Sequence, residues 1–553
     1  MSVSPGQGSY VCGSSTKPLL YVTVGQALKQ AAATSPHREA LVVRHQNVRW
    51  TYRELDSRVD ELARALLAQG LKPGDRVGIW SPNNAEWVLT QFATARVGLI
   101  LVNINPAYRQ MELEDALRRS GCRLLILATA FKTSDYVGMA RAVSQTLTEL
   151  ERLVHLGSEP IEGLGSFGDL LASAAQVPEE RLETLSRSLE PDQAINIQFT
   201  SGTTGLPKGA TLTHFNIVNN GYFVGEGMRL GPEDRVCIPV PLYHCFGMVL
   251  GVLAAVTHGA TIVLSGESFD AAVVLETVAS ERCTALYGVP TMFIAELAHP
   301  RFRDFDLTSL RTGIMAGAPC PIAIMRRVVD EMHMTDLTVC YGMTETSPVS
   351  FQSDVEDPLE RRVTTVGRIH PHVQAKVIDT DGRVVPRGTP GELCTRGYGV
   401  MRGYWNDREA TAQVVDAGGW MHTGDLAVLD ADGFCNIVGR VKDVIIRGGE
   451  NIYPREIEEF LYRHPSVHEV AVVGVADSKY GEEICAVIRL REGLRADAEE
   501  IRAFCRASIA HYKVPRYVLF QETFPTTVTG KIQKFVLRRQ MEALLGVTSE
   551  HTA

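Results

Sequence analysis

The sequence predicts a layered α/β protein. A large N-terminal domain with mainly parallel sheets, residues 1–440, precedes a small α+β C-terminal domain, residues 441–553. Three observations lead there. Short apolar runs alternate with amphipathic segments through the first four-fifths of the chain, the rhythm of strands linked by helices. The most unusual glycine- and hydroxyl-rich stretches each follow such a run, where open parallel sheets place their ligands. After about Gly439 the texture changes to two long β-rich runs and a helix, a separate domain of roughly one hundred residues.

Taken in order, residues 75–80 read as a strand, 85–97 as a helix and 99–103 as a strand. Residues 111–119 read as a helix closed by Gly121, and 122–128 as a further buried strand. Glycine just past a helix end supplies the left-handed turn that stops it. The rhythm returns at 194–200, 235–239, 261–265, 284–287, 312–315 and 337–341. Residues 159–183 are polar and weakly patterned and read as a surface connection. In the C-terminal part, 467–475 and 483–490 read as paired strands, 496–509 as a helix and 516–520 as a short strand. There is no internal repeat and no low-complexity segment.

At 553 residues the chain is too long for one compact core. Its formal charge of −9 argues against broad nucleic-acid binding. Anionic ligands must therefore be held by local cations and backbone amides. No run of eighteen apolar residues marks a spanning helix, and the first residues lack the pattern of a secretory or mitochondrial leader. A cytoplasmic protein is expected. The 11 cysteines stand singly, with no C-x-x-C pair. That spacing predicts packed, reduced thiols rather than a zinc or disulfide framework.

The sharpest local signal is TSGTTGLPKG at 200–209. Its glycines let the backbone approach a ligand closely. The hydroxyls of Thr200, Ser201, Thr203 and Thr204, with the amides around Gly202 and Gly205, can surround phosphate oxygens, and Lys208 adds positive charge. It is not a Walker loop, because Pro207 precedes the lysine and no Ser or Thr follows it. A flexible turn after a strand is the competing reading. Four other segments stand out: YGMTE at 341–345, MHTGD at 421–425, GRVKDVIIRGGENI at 439–452 and PTTVTGK at 525–531. Taken alone, Glu345 reads equally well as a solvated acid, Asp425 as a turn residue, residues 439–452 as a charged linker and Lys531 as a surface lysine.

Together and in this order, these segments resemble the adenylate-forming superfamily of acyl-CoA synthetases, aryl-CoA ligases, luciferases and peptide-synthetase adenylation domains. The resemblance runs from about Tyr52 to Lys534. SYVCGSSTKPLLYVTVG, NPAYRQMELEDALRRSGCRLLI and NIQFTSGTTGLPKGATLTHFNIVNN are most similar to the medium-chain acyl-CoA synthetases. The resemblance implies an N-terminal adenylation domain, a mobile C-terminal domain, and ATP, Mg2+ and coenzyme A as cofactor and co-substrates. The 200–209 loop would hold the β- and γ-phosphates. Tyr341 and Gly342 would lie by adenine, Thr344 would contact phosphate, and Glu345 would hold the metal. Gly317, Ala318 and Pro319 would border adenine and the acyl chain. Asp425 would accept from the ribose hydroxyls, with Met421 departing from the commoner aromatic, and Arg440 would contact ribose and phosphate. Lys442 falls at the family's hinge, and Gly448 and Gly449 on the CoA path. Lys531 would steady the acid carboxylate and the α-phosphate, and His244 in PLYHCFG would position the reacting carboxylate. Phe246, Gly247, Met248, Val289 and Met292 would line the acyl pocket.

The resemblance thus implies ligation of a carboxylic acid, best a medium-chain fatty acid, to CoA through acyl-AMP and pyrophosphate. Loading of a carrier protein, an aryl-acid:CoA ligase and a catalytically dead nucleotide-binding regulator stay open, as does a homodimer.

Overall fold

The computed structural model describes residues 8–200, 207–318, 320–447, 450–506, 508–526 and 532–547. The chain divides into two compact units, one of Cys12–Gln374 with Thr395–Met421, the other of Met1–Val11, Ala375–Cys394 and His422–Ala553.

The larger unit carries two long sheets. In the first, Gly165–Ser166, Arg152–His155, Cys122–Leu127, Arg76–Trp80, Ile100–Asn103 and Ala194–Thr200 lie side by side in parallel, and Lys208–Thr213 and Gly403–Tyr404 close the edge antiparallel. In the second, the parallel strands Asp336–Gly342, Thr312–Ala316, Ala285–Gly288, Arg235–Cys237, Thr261–Leu264 and Glu39–Val43 form the centre. Antiparallel strands flank them at both ends. The central strands are buried on both faces, so their sequences are near-continuous apolar runs.

The helices between them carry their stop and start signals locally. Thr51 and Glu54 form a reciprocal capping box at Tyr52–Ala68, and Gly121 takes the left-handed turn after Gln110–Ser120. One core charge is fully compensated: the buried Arg96 donates to Asp56 at 2.6 Å and to Asp60.

One expectation is corrected. Residues 159–183 are not a bare connection, because Phe167–Ala172, Ser173–Gln176 and Glu179–Arg187 are helical. Phe167, Leu170, Ala174 and Leu182 are buried. A single apolar stripe at helical spacing on otherwise polar segments is enough to anchor short helices against Tyr52–Ala68.

In the smaller unit Met421–Leu429 pairs antiparallel with Cys435–Arg440, and Gly391–Gly397 lies on the other side of Met421–Leu429. A separate sheet joins Val467–Asp477 and Gly481–Leu490 over ten paired positions, with Tyr517–Phe520 added in parallel. Ile457, Leu461, Val472, Ile488 and Ile501 close its core. The expected helix over 496–509 is shorter, Ala498–Arg506.

All 11 cysteines are free thiols and only Cys12 is exposed. No helix among the described residues is long and apolar enough to cross a membrane.

Candidate functional site

Strand Ala194–Thr200 and its antiparallel neighbour Lys208–Thr213 bring Thr200 opposite Lys208 at their open ends. Ser201, Gly202, Thr203, Thr204 and Gly205 lie outside the described residues. Strand Asp336–Gly342 of the second sheet delivers the short helix Thr344–Thr346, and with it Glu345, to the same place. Gly342 makes that delivery possible: a Cβ there would stand 1.7 Å from the Pro348 carbonyl oxygen. The strand and its antiparallel partner approach too closely for any side chain.

Glu345 is buried, and one of its carboxylate oxygens accepts from two hydroxyls, Thr200 Oγ1 at 3.1 Å and Tyr404 Oη at 2.9 Å. Its backbone carbonyl accepts from Met401 N–H at 2.8 Å, which fixes the acid from the other side. Lys208 Nζ lies 5.2 Å over the Tyr404 ring. Burial, with the adjacent Glu345 carboxylate, pushes the Tyr404 phenol well above its ordinary range, so the hydroxyl stays a donor.

Among the described residues no lysine or arginine pairs with Glu345. Its two side-chain donors are neutral hydroxyls, so a cation brought from outside meets no competing cation of the described residues on this carboxylate. These residues therefore fit Mg2+ carried by a triphosphate, with Glu345 as a ligand and Lys208 nearby for phosphate charge.

Tyr341 ends the same strand, half-buried, with its ring edge-on to Phe351 at 6.3 Å. Gly317, at φ +88°, turns the loop after Thr312–Ala316, and a Cβ there would sit 3.2 Å from Val289. That loop thus packs close to Val289, one of the expected acyl-pocket residues. Ala318 is half-buried and Pro319 lies outside the described residues.

The expected acyl residues Phe246, Met248, Val289 and Met292 all belong to the larger unit's main hydrophobic core, which also holds Tyr287, Ala316 and Cys340. Phe246 stacks on Tyr287 at 5.9 Å. The segment Phe246–Leu253, which includes Gly247, is a π-helical run of eight residues, an irregularity common at binding sites. His244 caps it: its carbonyl accepts from Gly247 and Met248, and its Nδ1 accepts from Phe246 N–H at 3.1 Å. These bonds tie His244 to the start of that helical run.

Beneath lies an amide ladder that the sequence pattern did not reveal. Gln198 donates to Asn196, Asn196 to Asn103, and Asn103 to the Tyr243 carbonyl, in bonds of 2.8–2.9 Å. Gln198 and Asn103 also both donate to the Met248 sulfur, at 3.0 and 3.1 Å. Two buried amides, linked by a third, thus fix one thioether, which otherwise has many rotamers. Tyr404 was missed as well. A tyrosine in an ordinary turn sequence gives no sign that it will meet an acid 59 positions away.

In the smaller unit, register pairs Asp425 with Arg440, and Arg440 Nε lies 3.0 Å from Asp425 Oδ1. Met421, the last residue of the larger unit, is buried, as a packing position should be. Lys442 is exposed in the short helix Val441–Asp443. Gly448, Gly449 and Lys531 lie outside the described residues.

Known proteins resemble this chain along nearly its whole length. Residues 28–405 match the AMP-binding enzyme family and residues 456–531 its AMP-binding enzyme C-terminal domain. The medium-chain acyl-CoA ligase ACSF2, mitochondrial, of Danio rerio is 47% identical over 559 residues, covering 98% of this chain and 91% of that one. The acyl-CoA synthetase YngI of Bacillus subtilis (strain 168) is 46% identical over 545 residues, 96% of this chain and 99% of the other. Among solved structures, the anthranilate CoA ligase AuaEII in complex with anthranoyl-AMP superposes with a TM-score of 0.86 at 28% identity, covering 96% of this chain and 99% of that one. The family match spans most of the chain and the relatives run nearly end to end with it, so the chain belongs to the AMP-binding enzyme family.

Proposed function

We propose that the chain is an ATP-dependent, AMP-forming acyl-CoA ligase that prefers a medium-chain fatty acid. The observation that carries the reading is the near-full-length similarity to named acyl-CoA ligases, together with the phosphate-side acid Glu345 and the apolar cluster around Met248 in one unit.

The reaction runs in two steps. The acid carboxylate, already ionised at neutral pH, attacks the α-phosphate of ATP; a new oxygen–phosphorus bond forms and pyrophosphate leaves. The thiolate of CoA then attacks the acyl carbonyl, and AMP leaves with the electron pair. Mg2+, when bound, neutralises phosphate charge as the α-phosphate is attacked. The protein's part is to position groups and compensate charge. Thr200 and Tyr404 hold the Glu345 carboxylate, and Lys208 offers a cation to phosphate. Asp425 takes the ribose hydroxyls, and its pairing with Arg440 orients it. Lys531 steadies the α-phosphate and the acid. The acyl chain lies along Phe246, Gly247, Met248, Val289 and Met292, where each added methylene contributes about 0.8 kcal/mol until the cavity ends.

The test is a pyrophosphate-release screen of carboxylic acids with and without CoA. Linear alkanoates of about six to twelve carbons are expected to give the highest kcat/KM, with acyl-CoA as product. An aromatic or amino acid that exceeds every alkanoate tenfold would overturn the substrate assignment. Acyl-AMP formed but never passed to CoA would overturn the ligase assignment.

A further inference from the structure

Glu392, Cys394 and His422 converge on one face of the smaller unit's sheet, and the geometry points to a zinc site there. Glu392 and Cys394 are two residues apart on strand Gly391–Gly397, so their side chains share a face. His422 comes from the hydrogen-bonded neighbour strand Met421–Leu429. His422 Nδ1 lies 3.6 Å from Cys394 Sγ and 3.1 Å from Glu392 Oε2, and all three donor atoms lie within 4.8 Å of one another.

Those separations match the edges of a zinc tetrahedron. Bonds of about 2.3 Å to sulfur and about 2.05 Å to nitrogen, opened to the tetrahedral angle, put the two atoms about 3.5 Å apart; nitrogen and carboxylate oxygen fall about 3.3 Å apart. The Glu392 oxygen lies within 4.8 Å of the sulfur, and its part-exposed side chain is able to adjust to complete the face. Cys394 is fully buried while His422 and Glu392 are part-exposed, which leaves a solvent side for a fourth, water ligand.

The surroundings already orient the donors. The other Glu392 oxygen accepts from Gly424 N–H at 3.3 Å, and Thr423 Oγ1 donates to the Leu393 carbonyl at 2.7 Å, tying the two strands together at this point. Such outer contacts set ligand direction in metal sites. One thiol, one imidazole and one carboxylate select a borderline-soft ion such as Zn2+ over the Mg2+ used in catalysis, which prefers an all-oxygen shell. Among the described residues no other His, Cys, Asp and Glu group has this compactness. Linear spacing pointed away from zinc because Cys394 and His422 are 28 positions apart; adjacent strands make them neighbours.

The experiment titrates metal-stripped full-length protein with Co2+ in millimolar Mg2+, followed by displacement with Zn2+. Expected are saturation at one equivalent, tetrahedral visible bands, a near-ultraviolet thiolate-to-cobalt band and loss of all of them when Zn2+ is added. Cys394→Ser should abolish the thiolate band. Glu392→Gln and His422→Gln should each weaken binding by at least about tenfold. Cys12→Ser, at the exposed thiol, should change nothing. No stoichiometric Co2+ binding, or a thiolate band that survives Cys394→Ser or vanishes in Cys12→Ser, overturns the site. Should Cys394→Ser lose its cooperative melting transition, Glu392→Gln decides: unchanged Co2+ affinity overturns the assignment.

Discussion

Replacing Tyr404 by phenylalanine deletes one oxygen and asks whether Glu345 is held in place for a cation. In the wild type the carboxylate accepts from Tyr404 at 2.9 Å and from Thr200 at 3.1 Å. A hydrogen bond to a charged group contributes about 1.5–3 kcal/mol. At about 1.4 kcal/mol per decade, the ceiling of the loss is about 10- to 150-fold. The Thr200 bond survives, so an effect near the low end, about tenfold, is expected. It should appear as a higher half-saturating Mg2+ concentration in single-turnover pyrophosphate release, with the KM for the acid unchanged. The phenylalanine ring still underlies Lys208, whereas Tyr404→Leu removes that platform too. The leucine variant should lose a further about 2- to 5-fold in ATP affinity, since an exposed cation–π contact contributes about 0.5–1 kcal/mol. Wild-type Mg2+ and ATP dependence in a folded Tyr404→Phe protein would refute the reasoning, because the Tyr404 hydroxyl would then have no part in positioning Glu345.

Two other predictions separate steps and conditions. Lys531→Ala should slow adenylation by about a hundred- to thousandfold while still converting supplied acyl-AMP and CoA to thioester; Gly449→Leu should release pyrophosphate once and then stall. Equal loss of both steps in both folded variants would contradict the division of labour. Burial lowers His214 and His370 to about 3. Val24 N–H donates to His214 Nδ1, which holds that ring as the neutral Nε2–H form. The unfolded chain binds protons near pH 6.5 that the folded chain refuses, so stability is full above that pH and falls as pH drops toward about 3. The pair should give a slope of up to about 2.7 kcal/mol per pH unit. Urea unfolding that shows equal stability at pH 5 and pH 7 would show that neither ring is held neutral.

How much could be read from the chain follows its physics. Strands such as Cys122–Leu127 were legible within a residue or so, because burial writes a nearly continuous apolar run, and Ala194–Thr200 because Ile195, Ile197 and Phe199 alternate with polar residues at strand spacing. The helices over 167–187 were not, since each buries only one or two side chains on a polar background. In the site, Thr200 and Lys208 stood out within one glycine- and hydroxyl-rich stretch, whereas Glu345 was singled out only through the resemblance of its motif to the family's; the fold brings Thr200 and Glu345 into hydrogen-bonding contact. Tyr404 and the Gln198–Asn196–Asn103 ladder were hidden. Their partners are distant in sequence, and an amide inside a β-rich run looks the same whether it faces water or a buried sulfur. Register also paired Asp425 with Arg440, which motif reading had treated as two separate ribose contacts.

The burial of ten cysteines matters for a reason beyond packing. An enzyme that makes acyl-adenylates holds a strong acylating agent inside its own walls, and its product is itself a thioester able to exchange with thiols. Cys245 sits beside His244 and Cys340 beside Tyr341, yet burial pushes both thiols far above their ordinary range. Almost no thiolate, the reactive form, is then present at neutral pH. The fold thereby keeps its own sulfur from competing with coenzyme A, and self-acylation during turnover should fall chiefly on the exposed Cys12.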